Sequence, residues 1–177
     1  RDSDGSADKN FSDVMELGRL YAVTAMGGKA IPLLAKAKKL EPQSPLPYKY
    51  MAIAQVDTSY RYREAVGEMD EYVRRAPDDV FGHNFIGYLY YQTGRYDDAV
   101  GALKRAVEMR TDNGYGWCLL ARAYARMRRG LAPADPSRKT LERQAHNALE
   151  NARAAASCSA GRVRRLEAWL RVQGTAR

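Results

Sequence analysis

The sequence of 177 residues predicts an all-α protein, an α-solenoid of antiparallel helix pairs that ends in a capping helix. Three observations support this fold class. Apolar residues recur at helical spacing through most of the chain. The pattern itself repeats with a period of 34 residues. Strand signals, such as runs of β-branched residues that alternate with polar ones, are nearly absent. Together these features favour stacked helical hairpins over any fold that contains a sheet.

The repeat frame is clearest in residues 80–113. Small, aromatic and aliphatic residues stand there at fixed positions of the frame: Gly87, Tyr90, Gly94, Tyr96, Ala99, Leu103 and Ala106. Residues 46–79 repeat the second half of this pattern, and residues 11–44 repeat both halves. A fourth frame begins at Gly114. The agreement of the frames predicts four units, each of two helices.

Small residues in the frame indicate where the two helices of a unit approach each other. Gly18 and Gly87 stand on the first helices, and alanines occupy the matching places on the second helices: Ala30, Ala65 and Ala99. Prolines fall at the unit boundaries, where they end one helix and start the next: Pro42, Pro45, Pro47 and Pro77.

The fourth unit, residues 114–157, departs from the period. Its first helix is predicted at about residues 115–128, and an insertion follows at about residues 129–140. The insertion is either a long loop or an extended second helix that starts near Pro136, with Asp135 or Ser137 helping to cap it. A last helix, predicted at about residues 162–172, would cover the exposed end of the array.

The remaining organisation follows from this array, which spans residues 11–157. Residues 1–10 are small, polar and acidic, so we expect a disordered linker there. Residues 158–177 form the predicted capping helix and tail. Because the chain begins with Arg1, we expect that an upstream segment has been removed. The localisation stays open between cytoplasmic and exported or lipid-anchored.

The composition argues against catalysis. The chain contains two histidines and two cysteines, and it lacks the common nucleophile, metal and phosphate-loop motifs. We therefore expect no catalytic residue, no metal and no cofactor. Cys118 and Cys158 can pair only if the chain between them folds back. The longest apolar stretch is far shorter than the ~20 residues of a membrane-spanning helix.

The frame closely resembles the tetratricopeptide repeat, and the resemblance covers about residues 11–155. It implies a right-handed superhelix whose first helices line a concave groove, in which members of the family bind a peptide or helix of a protein partner. The groove positions of the family correspond here to Arg19, Tyr50, Phe81, Asn84, Tyr88, Tyr91, Tyr115, Arg122 and Arg126.

These residue types suit a binding surface. Tyrosine offers a broad apolar face with a polar tip at a low entropic cost. The Asn84 amide can bond a peptide backbone, and Arg122 and Arg126 could hold a carboxylate or another anion. Many co-chaperones of the family bind a carboxylate through a Lys and an Asn on the first helix. The sequence has Met15 and Arg19 at those positions, so that clamp is absent.

The alternative function uses charge. The net charge is +8, and residues 114–177, with 13 Lys and Arg against 4 Asp and Glu, carry more than all of this excess. The arginine-rich C-terminal third could bind nucleic acid or an anionic membrane surface. However, the groove positions lack the regular pairs of polar readers that repeat proteins use for RNA. A solvated helical face also explains the charge, so we favour a protein partner and leave the oligomeric state open.

Overall fold

The computed structural model describes residues 6–155 together with Gly161, Arg164 and Ala168. Within these residues the protein is all-α. The helices are α1 (Ser6–Val23), α2 (Gly27–Leu40), α3 (Leu46–Ser59), α4 (Tyr62–Arg75), α5 (Val80–Gln92), α6 (Tyr96–Met109), α7 (Gly114–Gly130) and α8 (Ser137–Ala154).

The chain divides into two compact units, residues 1–82 and residues 83–177. In the first unit each helix packs against the next one along the chain, and α1 also packs against α3. In the second unit α7 lies between α6 and α8. Within each unit, helices that follow each other in sequence are therefore neighbours in space, and the predicted all-α solenoid of helix pairs is confirmed.

Each unit has its own hydrophobic core. The core of the first unit is built around Leu34 and Met51, and that of the second around Leu103, Leu119 and Leu149. Glycine sits at positions where the paired helices approach each other closely. A β-carbon on Gly87 would lie 2.6 Å from Leu103 Cγ, and one on Gly18 would lie 2.9 Å from Leu34 Cδ2. The predicted close approaches are confirmed at both positions.

The turns within the first three helix pairs share a left-handed residue at one position of the repeat frame. The φ angle is +59° at Ala25, +51° at Tyr60 and +80° at Gly94. A glycine at this place is expected, because side chains with a β-carbon are strained at positive φ. Two of the three turns nevertheless use residues that carry one.

The fourth helix pair has a different connection. Helix α7 continues through Arg128, the residue that corresponds to those left-handed turns, and ends at Gly130. Only residues 131–136 separate it from α8, whose first amide is capped by Asp135: Ser137 N donates to Asp135 Oδ1 at 2.8 Å. In the region of the insertion at 129–140, the structure thus has a short connection and a long second helix, α8, that starts at Ser137.

The structure describes part of the N-terminal region, where a linker was predicted, but only single positions of the predicted C-terminal capping helix. Helix α1 begins at Ser6, so residues 6–10 of the predicted disordered linker are helical. Alanine and lysine, both good helix formers, occur in this stretch of the sequence. The predicted capping helix at residues 162–172 lies outside the described residues, except for single helical positions at Arg164 and Ala168.

Candidate functional site

In the first unit the structure brings Arg19 and Tyr50 together. Arg19 Nε donates to Glu16 Oε2 at 2.9 Å. This bond raises the pKa of the Arg19 guanidinium and lowers that of the Glu16 carboxyl, and the Tyr50 hydroxyl contributes less to the pKa of Arg19. Two predicted site residues from α1 and α3 thus form one polar patch.

Phe81 contacts Lys49, which is not one of the predicted site residues. The Phe81 side chain is 40% exposed, and Lys49 Nζ lies 4.2 Å from the centroid of its ring. The same ammonium lies 3.5 Å from Asp79 Oδ2. The lysine stands next to Tyr50 in the sequence, but its position in the frame is not a groove position of the family, so the resemblance did not indicate it.

Asp79 organises the start of α5 in this cluster. Its Oδ1 accepts a hydrogen bond of 3.1 Å from the Phe81 amide, and its Oδ2 accepts one from the Tyr72 hydroxyl. Burial raises the pKa of Asp79, but these bonds and the charge of Lys49 outweigh it, so the pKa falls below its ordinary value. Burial and the bond to Asp79 raise the pKa of Tyr72.

Asn84 makes a hydrogen bond within the second unit that the sequence did not predict. Its Oδ1 accepts from Asn113 Nδ2 at 3.0 Å, while Asn113 Oδ1 accepts from the Gly116 amide at 3.0 Å. Asn113 is only 2% exposed, and its side chain caps α7. The predicted backbone-binding group therefore supports the cap of the neighbouring first helix with its oxygen.

Tyr88 keeps a partly exposed position on α5, and both ends of its side chain are supported. Its ring stacks on Phe85 with a centroid separation of 6.2 Å and an interplanar angle of 7°. Its hydroxyl accepts a hydrogen bond of 2.8 Å from Gln92 Nε2. Tyr115, on α7, is also exposed.

Tyr91 is a core residue that holds two predicted site arginines. It is 8% exposed and packs against Tyr96 at 5.7 Å between ring centroids. The Arg122 guanidinium lies 4.7 Å from the centre of the Tyr91 ring, and Arg126 Nε donates to the Tyr91 hydroxyl at 3.2 Å. Tyr91 thus orients the two arginines and leaves little of its own surface for a partner to contact.

A cleft of about 640 Å³ opens beside Arg126. Its walls are the start of α6, the end of α7 and the start of α8, so the extended fourth pair creates it. Met127, Leu131 and Leu141 give it an apolar lining, and Asp97 and Asp98 stand on the wall formed by α6. The insertion in the fourth repeat was the sequence feature that marked this region. The spacing of residues in the repeat frame did not show which side chains of α6, α7 and α8 would line the cleft.

Two members of the arginine-rich region have structural roles. Arg128 is buried and pairs with Glu142 at 3.3 Å. Arg138 Nη1 donates to the carbonyl oxygens of Arg128 and Leu131, at 3.0 and 2.7 Å, and so closes the end of α7. The exposed cations of this region that the structure describes are Arg126, Arg129, Lys139, Arg143, Arg153 and Arg164.

Other chemistry is scarce in the part of the chain that the structure describes. It contains no group of three or more His, Cys, Asp or Glu side chains placed to hold a metal ion. None of its helices is both long and apolar enough to cross a bilayer. Cys118 is buried on α7 and is disulfide-bonded, and the other cysteine of the sequence, Cys158, lies outside the described residues.

Comparison with known proteins supports the repeat frame. A family model described as tetratricopeptide repeat matches residues 59–115 and 86–134. No curated protein sequence matches the chain. Among solved structures, the MamA RS-1 ArsTM double mutant has a TM-score of 0.77 at 16% identity, over 94% of this chain and 86% of that one.

Two further structures show the same likeness. MamA AMB-1 has a TM-score of 0.75 at 20% identity and covers 91% of this chain and 87% of its own. MamA 41-end from Desulfovibrio magneticus RS-1 has a TM-score of 0.68 at 18% identity, with coverages of 85% and 80%. At such identities the likeness concerns the fold. The family model thus places tetratricopeptide repeats in residues 59–134, and the repeat frame and the helix pairs agree with that match.

Proposed function

We propose that this chain is a non-catalytic binding module that holds a peptide or helix of a partner protein on the first helices of its repeats. Tetratricopeptide repeats form protein–protein interaction scaffolds in general, and a role as assembly factor or scaffold of a larger complex follows from that use. The proposed binding residues are the exposed or partly exposed ones: Arg19, Tyr50, Phe81, Asn84, Tyr88, Tyr115, Arg122 and Arg126. Tyr91 contributes by holding the two arginines.

The observation that carries the proposal is the support of Tyr88. Phe85 stacks against its ring, and Gln92 holds its hydroxyl, while the side chain stays partly exposed. An aromatic ring that is already fixed loses little conformational entropy when a partner covers it. Such rigid aromatic side chains are enriched among the residues that dominate binding energy.

Phe81 extends this argument to the first unit. Its exposed ring lies against the Lys49 ammonium, which also pairs with Asp79. A cation under an aromatic ring is worth about 0.5–1 kcal/mol at an exposed site, so the ring is held in place without being buried. Each unit therefore offers at least one fixed aromatic side chain for a partner to cover.

The test is affinity capture from an extract of the source organism with three versions of the full chain. These are the wild type, Tyr88→Ala, and the control Tyr60→Ala, which removes a tyrosine that is 74% exposed on a turn outside the proposed site. We expect a defined protein to be captured by the wild type and by Tyr60→Ala. Tyr88→Ala should weaken the interaction by about 2 kcal/mol, or about 30-fold.

A nuclease arm separates this proposal from the anionic alternative. Capture that nuclease abolishes, and that Tyr88→Ala leaves unchanged, would assign the function to the exposed cations of the C-terminal third. Equal loss with Tyr60→Ala and Tyr88→Ala would contradict the assigned surface. Circular dichroism of each variant shows whether its fold is intact.

A further inference from the structure

We infer that Arg122, Arg126 and the adjoining cleft bind an acidic side chain of the partner peptide together with a neighbouring apolar one. This inference rests on the proposed function and specifies the chemistry of the partner. The geometry around Tyr91 carries it, because two like charges are fixed there one turn apart on α7.

Among the described residues neither Arg122 nor Arg126 forms an ion pair, whereas Arg128 on the same helix pairs with Glu142. Like charges at i and i+4 on a helix destabilise it, so their close placement is unfavourable until an anion arrives. Guanidinium groups bind carboxylates through strong charge-assisted hydrogen bonds.

Tyr91 makes the pair suitable for this task. Its ring supports Arg122 from one side, and its hydroxyl takes the Nε hydrogen of Arg126. Because Tyr91 is itself packed in the core, both guanidinium groups are oriented before a ligand binds. Arg126 also lines the cleft, whose apolar lining lies beside it. A carboxylate on the arginines would therefore place the next side chain of the peptide over Met127, Leu131 and Leu141.

The charges of the cleft favour a protein ligand over a polyanion. Asp97 and Asp98 line the same cleft as Arg126, and Asp98 pairs with Arg95 at 2.7 Å. Arg95 also lines the cleft, but its charge is taken up by Asp98, so a phosphate backbone that followed the cleft away from Arg122 and Arg126 would meet the negative charge of Asp97. A peptide with a single acidic residue can place that residue on Arg122 and Arg126. The uncharged or basic residues beside it in the peptide then lie against Asp97 and Asp98.

The experiment selects ligands for the full chain from a random peptide library displayed on phage. We expect the enriched peptides to carry Asp or Glu next to an apolar residue. Synthetic copies should bind the Arg122→Gln/Arg126→Gln variant about 10- to 100-fold more weakly than the wild type. The matched control is Arg129→Gln, which removes an exposed arginine from the same helix without touching Tyr91, and it should bind as the wild type does.

A charge exchange separates recognition from structure. Arg126→Glu should bind the peptide in which Lys replaces the acidic residue better than it binds the original, which a purely structural role of Arg126 would not produce. Enriched peptides without acidic residues, or acidic peptides that bind the double variant normally, would overturn this inference while the proposed function stands. No enriched peptide at all would overturn both. Binding of a single-stranded oligonucleotide that outcompetes the peptides would reassign the arginines to phosphate.

Discussion

Replacing Gly87 by alanine probes the close approach between α5 and α6 in the second unit. The added β-carbon would lie 2.6 Å from Leu103 Cγ and 2.8 Å from its Cδ2. Leu103 is fully buried, so it cannot swing aside without disturbing the core. Overpacking of this kind costs about 1–3 kcal/mol, while alanine gains about 0.5–1 kcal/mol over glycine inside a helix. We expect net destabilisation of about 0–2.5 kcal/mol.

Gly101→Ala is the matched control, since Gly101 lies in the middle of α6 and a β-carbon there meets nothing within 4 Å. It should stabilise the protein by about 0.5–1 kcal/mol. The difference between the two variants therefore measures the overpacking alone, about 1–3 kcal/mol. Urea unfolding of the full chain, followed by circular dichroism, gives both values.

A double-mutant cycle makes the test specific to the contact. In a Leu103→Ala background, the cavity accepts the new methyl group, so Gly87→Ala should become as favourable as Gly101→Ala. If Gly87→Ala stabilises the original protein as much as Gly101→Ala does, or if the cycle shows no coupling, the assigned packing of α5 on α6 is refuted. Gly87→Leu, with its larger side chain, should destabilise the protein further.

Two other predictions concern caps. Asn113→Ala should destabilise the protein by about 1–2 kcal/mol, because the Gly116 amide loses its buried acceptor, and an unchanged urea midpoint would contradict the cap. For Asp79, the lowered folded-state pKa means that its stabilisation is present above the unfolded-state pKa of about 3.9 and is lost as the pH falls through the folded value. Urea midpoints between pH 2 and pH 7 should therefore depend less on pH in Asp79→Asn than in the wild type. An identical pH dependence would show that the bonds from Tyr72 and Phe81 do not stabilise the charged form.

The fold was predictable because its determinants are local and repeated. Gly18 and Gly87 occupy equivalent places in the frame, and both meet a leucine of the paired helix. The extended helix α8 was one of two predictions for the insertion, since Pro136 and Asp135 are compatible with a loop as well as with a helix start. The sequence could not decide between them, because the energy that favours the helix comes from burying Leu141, Ala145 and Leu149 against α7.

The candidate site was less predictable, because the frame assigns a direction to a side chain but not its neighbours. Asn84 faces a second asparagine that caps the next first helix, a contact between residues 29 positions apart. Tyr91 falls at a surface position of the frame, yet Tyr96 and two arginines enclose it. Long side chains on adjacent helices can cover a surface position, and the repeat pattern does not encode which of them does so.

The left-handed residue in the first three turns bears on how the array tolerates change. For a residue with a β-carbon, left-handed backbone is about 1–2 kcal/mol less favourable than for glycine. Ala25 and Tyr60 thus place strain in the turns of the first two helix pairs, whereas Gly94 leaves the third relaxed. The three turns have similar backbones, but only the first two are strained. Local unfolding under a pulling force, during proteolysis or on heating should therefore begin at those two turns. Stabilising substitutions in this scaffold would therefore be tried first at Ala25 and Tyr60.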